Sequence, residues 1–281
     1  MPGPGVGTLY SMSTLVTGAT GIVGSRVLTQ LRSRGLSATG ASRTSTTRLD
    51  WTDTSNWDEI LDGVENVFVV TPPGKALGNR VAGFLERAAK AGAANAVVLT
   101  DMGTEHAPAD SDQRAAELQA KDLFDRWTVL RSNWLFQDFT EGMFATMARS
   151  RNGRLELPVK KKTGISFVDA RDVADAAVAA LLGDHGGRDY TLTGPQTLTF
   201  REVVKQTRGT ESPVWKFKSL DRGSFHSRAA DRGMSDRYVG SLSERFAAAD
   251  AGRAAEVTEG VYEALRREPI PLARFVREAV L

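Results

Sequence analysis

TLVTGATGIVGSRVLTQL, residues 14–31, is the stretch that decides the fold. Its first four residues are apolar or β-branched, which is typical of a short buried strand. The next seven residues, GATGIVG, place three glycines in a G-x-x-G-x-x-G pattern. Val23, Val27 and Leu31 then recur at every fourth position, so they would share one face of a helix. The stretch therefore predicts a strand, a glycine turn and a helix, in that order.

A unit of this kind is suited to binding a dinucleotide pyrophosphate. Glycines lack the Cβ atom that would keep the backbone away from a phosphate. The helix N-terminus adds free N–H groups and the positive end of the helix dipole. The residues expected to contact a cofactor here are Gly18, Ala19, Thr20, Gly21, Ile22 and Val23.

The residues after the second predicted strand, which covers residues 36–41, bear on which dinucleotide binds. An acid at this place would accept the ribose 2′-hydroxyl of NAD, whereas an arginine suits the 2′-phosphate of NADP. No acid follows until Asp50, while Arg43 comes almost directly after the strand and Arg48 is near. The pattern favours NADPH/NADP as the cofactor, and the alternative is that Arg43 is an ordinary solvated loop charge.

Loops that follow the strands of a parallel sheet lie on its ligand side, so they supply further candidate contacts. The third, fourth and fifth predicted strands cover residues 48–53, 64–70 and 96–99. The candidate cofactor contacts at their ends are Asp53, Thr71, Pro72 and Thr100. Trp51 would either contact the adenine or pack into the core, and the sequence favours neither.

The alternation of strands and helices continues to residue 182. At this spacing it predicts an α/β fold of the Rossmann type, a doubly wound parallel sheet. From Asp189 onward the elements become shorter and less regular. We expect a flexible leader at 1–11, a mainly NADP-binding Rossmann domain at 12–188, and a small C-terminal α/β cap for substrate at 189–281.

Composition excludes several classes of function. Lys and Arg number 36 against 34 Asp and Glu, and so small a net charge does not favour a nucleic-acid partner. The chain has no cysteine and only three widely separated histidines, so we expect no metal site. No apolar run is long enough for a membrane span and no signal peptide is evident, which makes the cytoplasm the default location. A homodimer is expected only from the frequency of such assemblies.

Five features together resemble a known family. They are the glycine turn, Arg43, LRSNWLF at 130–136, FVDARDVA at 167–174 and YTLTGP at 190–195. Together they resemble the NmrA-like group of atypical short-chain dehydrogenase/reductases. Within it the chain is most similar to NADPH-dependent quinone reductases and to the ergot-alkaloid agroclavine/festuclavine dehydrogenase type. The resemblance implies a Rossmann fold, NADPH, and hydride transfer to a small unsaturated molecule.

The acid that ordinary short-chain dehydrogenases use is missing. Those enzymes carry a Tyr-x-x-x-Lys pair in which the lysine lowers the tyrosine pKa. None of the four tyrosines here has a lysine four residues later, and the residue four before Lys121 is Glu117, which predicts a surface salt bridge. Either the substrate, an iminium ion or a quinone, needs no protein acid, or another residue donates the proton. The candidates are Asp101, His106, Asn133 and Thr100.

Apolar and aromatic side chains follow the fifth predicted strand and the sixth, which covers residues 127–130. They are Met102, Trp134, Phe136 and Phe139. Such a set would bind a flat or polycyclic substrate, although each residue singly would also suit the core. The expected function is an NADPH-dependent reductase of an imine or iminium, enone or quinone, with secondary metabolism as its expected setting. The alternatives are a redox-sensing regulator that binds NADP(H) without turnover, and an isomerase or lyase that keeps its cofactor as a scaffold.

Overall fold

The computed structural model describes residues 12–72, 79–231 and 233–279, so the leader expected at 1–11 lies outside the described residues. The strands are β1 (Thr14–Thr17), β2 (Ala38–Ser42), β3 (Thr47–Arg48), β4 (Asn66–Val70), β5 (Asn95–Asp101), β6 (Arg126–Ser132), β7 (Arg154–Leu157), β8 (Gly164–Ile165), β9 (Arg188–Leu192), β10 (Leu198–Thr199) and β11 (Lys216–Ser219). The helices are α1 (Ile22–Ser33), α2 (Trp57–Leu61), α3 (Arg80–Lys90), α4 (Asp112–Leu123), α5 (Met143–Arg149), α6 (Ala170–Leu182), α7 (Phe200–Gln206), α8 (Arg222–Ala230), α9 (Asp236–Asp250), α10 (Gly260–Leu265) and α11 (Leu272–Glu278). Short 3₁₀ turns cover Thr104–His106 and Phe136–Phe139.

A seven-stranded sheet in the order β3-β2-β1-β4-β5-β6-β9 forms the centre of the described chain. All of its strand pairs are parallel. Its middle strands are buried on both faces, which explains why β4 and β5 read as continuous apolar runs, NVFVV and NAVVL. One face packs on α1 and α6 and the other on α2, α3 and α4. The Rossmann-type doubly wound sheet expected from the sequence is confirmed.

Local sequence signals account for the helices that flank this sheet. Val23, Val27 and Leu31 are buried on α1, as their spacing predicts. Asp169 caps α6 by accepting a hydrogen bond from the backbone N–H of Arg171. Along the chain, α7 begins at a capping box between Thr199 and Glu202.

The structure differs from the sequence-based expectation in the second half of the chain. β9 pairs with β6 as the seventh strand of the main sheet, because Tyr190 and Leu192 are buried there against α6. β8 is short, only Gly164–Ile165, and pairs antiparallel with β10 outside the main sheet.

A second hydrophobic core lies beside the sheet. It is rich in phenylalanine and contains β7, β8, α5, α7, α8, α9 and α11. It draws on residues 134–167 as well as on residues 198–276, so the cap expected at 189–281 shares its core with the segment before β9. Within the described ranges no helix is both long and apolar enough to cross a membrane.

Candidate active site

The glycine turn between β1 and α1 is shaped by steric limits at two positions. Gly18 has a positive φ of 62°, which a residue with a side chain rarely adopts. A Cβ atom on Gly24 would lie 2.3 Å from the carbonyl oxygen of Gly18, so only glycine lets α1 approach the turn this closely. No side chain caps α1 and no acid stands in its first turn, so its N-terminal N–H groups remain available to an anion. These features fit a pyrophosphate.

A cavity of about 290 Å³ begins at this turn and lies over the carboxyl ends of β1, β4, β5 and β6. One side, here called the strand wall, consists of Gly18, Gly21, Ile22, Val23, Gly24, Val70, Thr71, Leu99, Thr100, Asp101, Ser132 and Asn133. The rest of the lining, here called the helix wall, consists of Trp134, Leu135, Asp138, Met143, Tyr238, Ser241, Leu242 and Arg245, and Gln113 of α4 completes it. A ligand held by the glycine turn would therefore lie in the same cavity as the helix wall.

The candidate cofactor residues occupy three kinds of position. Gly18, Gly21, Ile22, Val23, Thr71 and Thr100 line the cavity. Thr20 is exposed at the turn and Pro72 is partly buried beside Thr71, whereas Ala19 is buried and donates its backbone N–H to Ala41. Arg43 is exposed directly after β2, in a turn where the Ser42 hydroxyl accepts the backbone N–H groups of Thr44 and Ser45.

The loop after β3 holds the last two candidates. Asp53 is exposed and its Oδ1 accepts the backbone N–H of Ser55 at 3.0 Å. Trp51 packs edge-to-face on Trp57 and Phe84, with ring centroids 6.1 and 5.4 Å away. The Trp51 ring is thus part of an aromatic cluster at the edge of the core.

The candidate proton donors are not all brought to the cavity. Asp101 lines it, with Oδ1 accepting from Arg245 at 2.8 Å and Oδ2 accepting from the Gln113 amide at 3.3 Å. Asn133 also lines it, but its amide donates to Ser166 Oγ at 2.8 Å and to the Ala254 carbonyl at 2.9 Å. Both amide hydrogens are used, so neither is left for a ligand. His106 is exposed and lies in a neighbouring polar cavity of about 660 Å³.

The candidate substrate residues divide in the same way. Trp134 lines the first cavity and stacks on Phe246 with ring centroids 5.0 Å apart, while the Arg245 guanidinium lies 4.1 Å from the Trp134 ring centroid. Met102 lines the neighbouring polar cavity instead. The expectation that Phe136 and Phe139 line the pocket is wrong, because the 3₁₀ turn directs both rings into the second core. Both are fully buried there, each within 6.1 Å of the ring of Phe167.

Comparison with known proteins places the chain among nucleotide-dependent enzymes. The model of the NAD dependent epimerase/dehydratase family matches residues 14–101. The (4-alkanoyl-5-oxo-2,5-dihydrofuran-3-yl)methyl phosphate reductase of Streptomyces griseus is 32% identical over 73% of this chain and 76% of its own length. The chain belongs to the atypical short-chain dehydrogenase/reductase family.

Two further similarities extend over nearly the whole chain. Agroclavine dehydrogenase of Claviceps fusiformis is 23% identical over 95% of this chain and 97% of its own length. The crystal structure of Citrobacter sp. triphenylmethane reductase complexed with NADP(H) superposes with a TM-score of 0.75 at 17% identity, covering 95% of this chain and 99% of that one. The structural match shows a shared fold. The family resemblance expected from the sequence is confirmed.

In this atypical short-chain dehydrogenase/reductase, the pair that stands near the usual Tyr-x-x-x-Lys position is not a surface salt bridge. Glu117 is fully buried and accepts hydrogen bonds from Arg131 Nε and Nη2, each at 2.9 Å, and from Thr100 Oγ1 at 2.8 Å. Lys121 pairs with Asp189 at 2.7 Å instead. The prediction of a Glu117–Lys121 bridge is wrong because β9, inserted beside β6, brings Asp189 to Lys121.

Three polar residues of the helix wall were not anticipated from the sequence. They are Asp138, Tyr238 and Arg245. Burial raises the pKa of Asp138 to about 6; the backbone N–H of Met143 and the charge of Arg245 oppose this rise and the charge of Asp101 adds to it. Burial also raises the pKa of Tyr238, whose hydroxyl donates to Met143 Sδ at 3.0 Å. A lone acid within the apolar run WLFQDF was the available signal for Asp138.

Proposed function

We propose that the chain is an NADPH-dependent reductase that transfers a hydride to a small unsaturated acceptor, namely an imine or iminium ion, an enone or a quinone. One observation carries this proposal: a single cavity joins the glycine turn to the Trp134 side of the helix wall. The reactive end of a dinucleotide and an acceptor would therefore meet in one cavity. The relatives described above, two reductases and a dehydrogenase, support the same reaction class.

The residues that would hold NADPH follow from their positions. The glycine turn and the first N–H groups of α1 would bind the pyrophosphate. Arg43, exposed after β2, would pair with the 2′-phosphate, with Arg48 at the end of β3 as a second cation. Thr71 and Thr100 would flank the nicotinamide ribose. Bound NADPH supplies the hydride.

The chain's own groups would orient the acceptor and exclude water. The Trp134 ring is held rigidly between Phe246 and the Arg245 guanidinium, so it gives the cavity lining a fixed apolar contact for a conjugated molecule. Asp101 holds Arg245 in place by an ion pair across the two walls. Asn133 would act through the backbone, because its Oδ1 accepts the N–H of Trp134 at 2.9 Å and so sets the position of that residue.

Two measurements test this function. Fluorescence titration with NADPH and NADH should show tighter binding of NADPH. The loss of NADPH absorbance should then follow addition of at least one acceptor from a panel of imines, iminium salts, enones and quinones. Absence of NADPH binding, or binding without oxidation across the panel, would refute the reductase.

A redox-sensing regulator without turnover is the second candidate. Its supporting observation is that neither the Tyr-x-x-x-Lys pair nor a free Asn133 amide is present to donate a proton. Tight NADPH binding without oxidation of any acceptor, and clearly weaker binding of NADP⁺, would favour the regulator. Equal affinity for the two redox forms would count against it.

A further inference from the structure

We propose that the carboxyl group of Asp138 is the acid that protonates the reduced acceptor, the role that the missing tyrosine has in ordinary members of the family. The inference rests on the proposed reductase function and adds a residue to it. Asp138 lies on the helix wall of the cavity that contains the glycine turn. Trp134 lines the same cavity, so an acceptor that contacts its ring there would be close to Asp138.

The local backbone orients this carboxyl group. Asp138 lies within the Phe136–Phe139 turn, and its Oδ1 accepts the backbone N–H of Met143 at 3.3 Å. Gly142 packs so tightly that a Cβ atom there would lie 2.5 Å from the same oxygen. The backbone N–H of Leu135 also approaches the carboxyl group. Because Asp138 lines the cavity, a proton on this carboxyl group can reach a ligand there.

Charged and titratable groups face Asp138 from two elements. Asp101 approaches from β5, and Tyr238 and Arg245 from α9. Arg245 is engaged by Asp101 at 2.8 Å and by the Trp134 ring at 4.1 Å, so it is not free to form a tight ion pair with Asp138. Burial therefore dominates and holds the pKa of Asp138 at about 6, a value that suits an acid working near neutral pH.

The other candidate donors are weaker on geometric or chemical grounds. Asn133 has no free amide hydrogen and His106 lies in the neighbouring cavity. The Tyr238 hydroxyl is in the cavity, but burial raises its pKa above the ordinary value, which makes it a poor acid. Asp138 is the donor that remains on the helix wall.

Reduction of a neutral acceptor takes up one hydride and one proton. The hydride from NADPH forms a C–H bond at the electrophilic carbon, and the π electron pair of the C=N, C=C–C=O or quinone system moves to nitrogen or oxygen. That atom takes the proton from the Asp138 carboxyl group, the acceptor is reduced by two electrons, and NADP⁺ is released. Water returns a proton to the Asp138 carboxylate. An iminium acceptor becomes a neutral amine on receiving the hydride, so it needs no proton.

This difference between acceptors supplies the experiment. Asp138→Asn keeps the shape and the oxygen that accepts the Met143 N–H, but removes the acidic proton. We expect kcat on the best neutral acceptor to fall about 100-fold, as is common for loss of a general acid. The fluorescence-measured Kd for NADPH should stay unchanged. Turnover of a cyclic N-alkyl iminium salt should change by less than about threefold. Asp138→Glu should restore part of the lost rate.

Controls and pH dependence make the result decisive. Asp122→Asn, which alters an exposed carboxylate on α4 outside the cavity, should leave both acceptors unaffected. In the wild type, kcat/KM for the neutral acceptor should fall as the pH rises through about 6, because the acid must be protonated, and this break should be absent from Asp138→Asn.

Three results would overturn the assignment. They are an Asp138→Asn variant as active as the wild type on neutral acceptors, an equal loss on neutral and iminium acceptors, and loss in Tyr238→Phe with none in Asp138→Asn. A wild type that reduces iminium salts but no neutral acceptor would also exclude a protein acid. A wild type that binds NADPH but oxidises it with nothing would refute the reductase itself, and the role of Asp138 with it.

Discussion

The two walls of the cavity differ in the kinds of residue that form them. The strand wall is mostly backbone and small side chains whose polar groups are already bonded inside the protein. Thr71 Oγ1 donates to the Leu99 carbonyl at 2.7 Å, and Thr100 Oγ1 donates to Glu117 at 2.8 Å. The helix wall instead carries a tryptophan, a tyrosine, an arginine and a carboxyl group with few internal partners. The sheet fixes the strand wall, whereas the helix wall carries the side chains that could act on a ligand.

The contrast is sharpest between two carboxyl groups, those of Glu117 and Asp138. Glu117, behind the strand wall, accepts from Arg131, Arg114 and Thr100 and is fully neutralised by cations. Asp138, on the helix wall, is approached by the backbone N–H groups of Met143 and Leu135, while Arg245 pairs with Asp101 instead. A carboxylate with its full set of donors stabilises the fold, whereas one that lacks them has a raised pKa and can exchange a proton. We infer that the strand wall serves the cofactor and that the helix wall determines the chemistry on the acceptor.

The largest effect on stability is expected when the buried ion pair between Glu117 and Arg131 is broken. Arg131→Met removes a cation held at 2.9 Å and leaves Glu117 buried with only Arg114 and Thr100. We expect the free energy of unfolding to fall by about 3–5 kcal/mol, measured by urea denaturation. Lys121→Met is the matched control, since Lys121 also contacts Asp189 but is partly exposed, and its cost should stay below about 1 kcal/mol. Equal losses for the two variants would show that Glu117 is not the reason.

The second prediction concerns the glycine turn. Gly24→Ala places a methyl group 2.3 Å from a backbone oxygen, so α1 must move away from β1. We expect about 2–3 kcal/mol of destabilisation and a large loss of NADPH affinity. Gly83→Ala on α3 meets nothing within 4 Å and should be neutral or stabilising. If the Gly24→Ala variant bound NADPH normally, the strand wall would not be the part of the cavity that binds the cofactor.

Sequence reasoning succeeded where the signal is local. The β1–turn–α1 unit depends on residues within a few positions of one another. The strand wall follows from this unit and from the alternation of strands and helices, because the ends of parallel strands must meet at one edge of the sheet.

The residues of the helix wall could not be predicted from local sequence in the same way. The chain makes a 3₁₀ turn over Phe136–Phe139 and begins α5 only at Met143. That break buries Phe136 and Phe139 and puts Asp138 at the cavity. Tyr238 and Arg245 lie two helical turns apart on α9, so the pattern places them on one face, but only tertiary packing across about a hundred residues brings that face to Asp138.

The third prediction tests the raised pKa of Asp138 through the stability of the protein instead of its activity. The pKa of Asp138 is about 6 in the folded protein against an ordinary 3.8, so the folded state binds the proton more tightly than the unfolded state does. The stability that the protonated form contributes is complete below about pH 4 and is lost as the pH rises through about 6. Relative to Asp138→Asn, which stays neutral, the wild type should lose about 3 kcal/mol across this window. Urea denaturation of both proteins at several pH values tests this, and a constant difference would contradict it.

The smallest expected effect lies at Arg43, which follows β2 and is not part of the cavity lining. Its guanidinium is exposed after β2, so solvent and salt weaken any contact with a 2′-phosphate, yet a charge-assisted hydrogen bond to phosphate still gives about tenfold in affinity. Arg43→Ala should raise the Kd for NADPH about tenfold in a fluorescence titration at low salt, and less at high salt, while the Kd for NADH stays the same. Arg34→Ala is the control. Arg34 is an exposed arginine at the C-terminal end of α1, away from the glycine turn, so its loss should change neither Kd. A loss that is equal for NADPH and NADH would mean that Arg43 supports the β2 turn and does not select the cofactor, and the choice of NADPH would then fall to Arg48 at the end of β3.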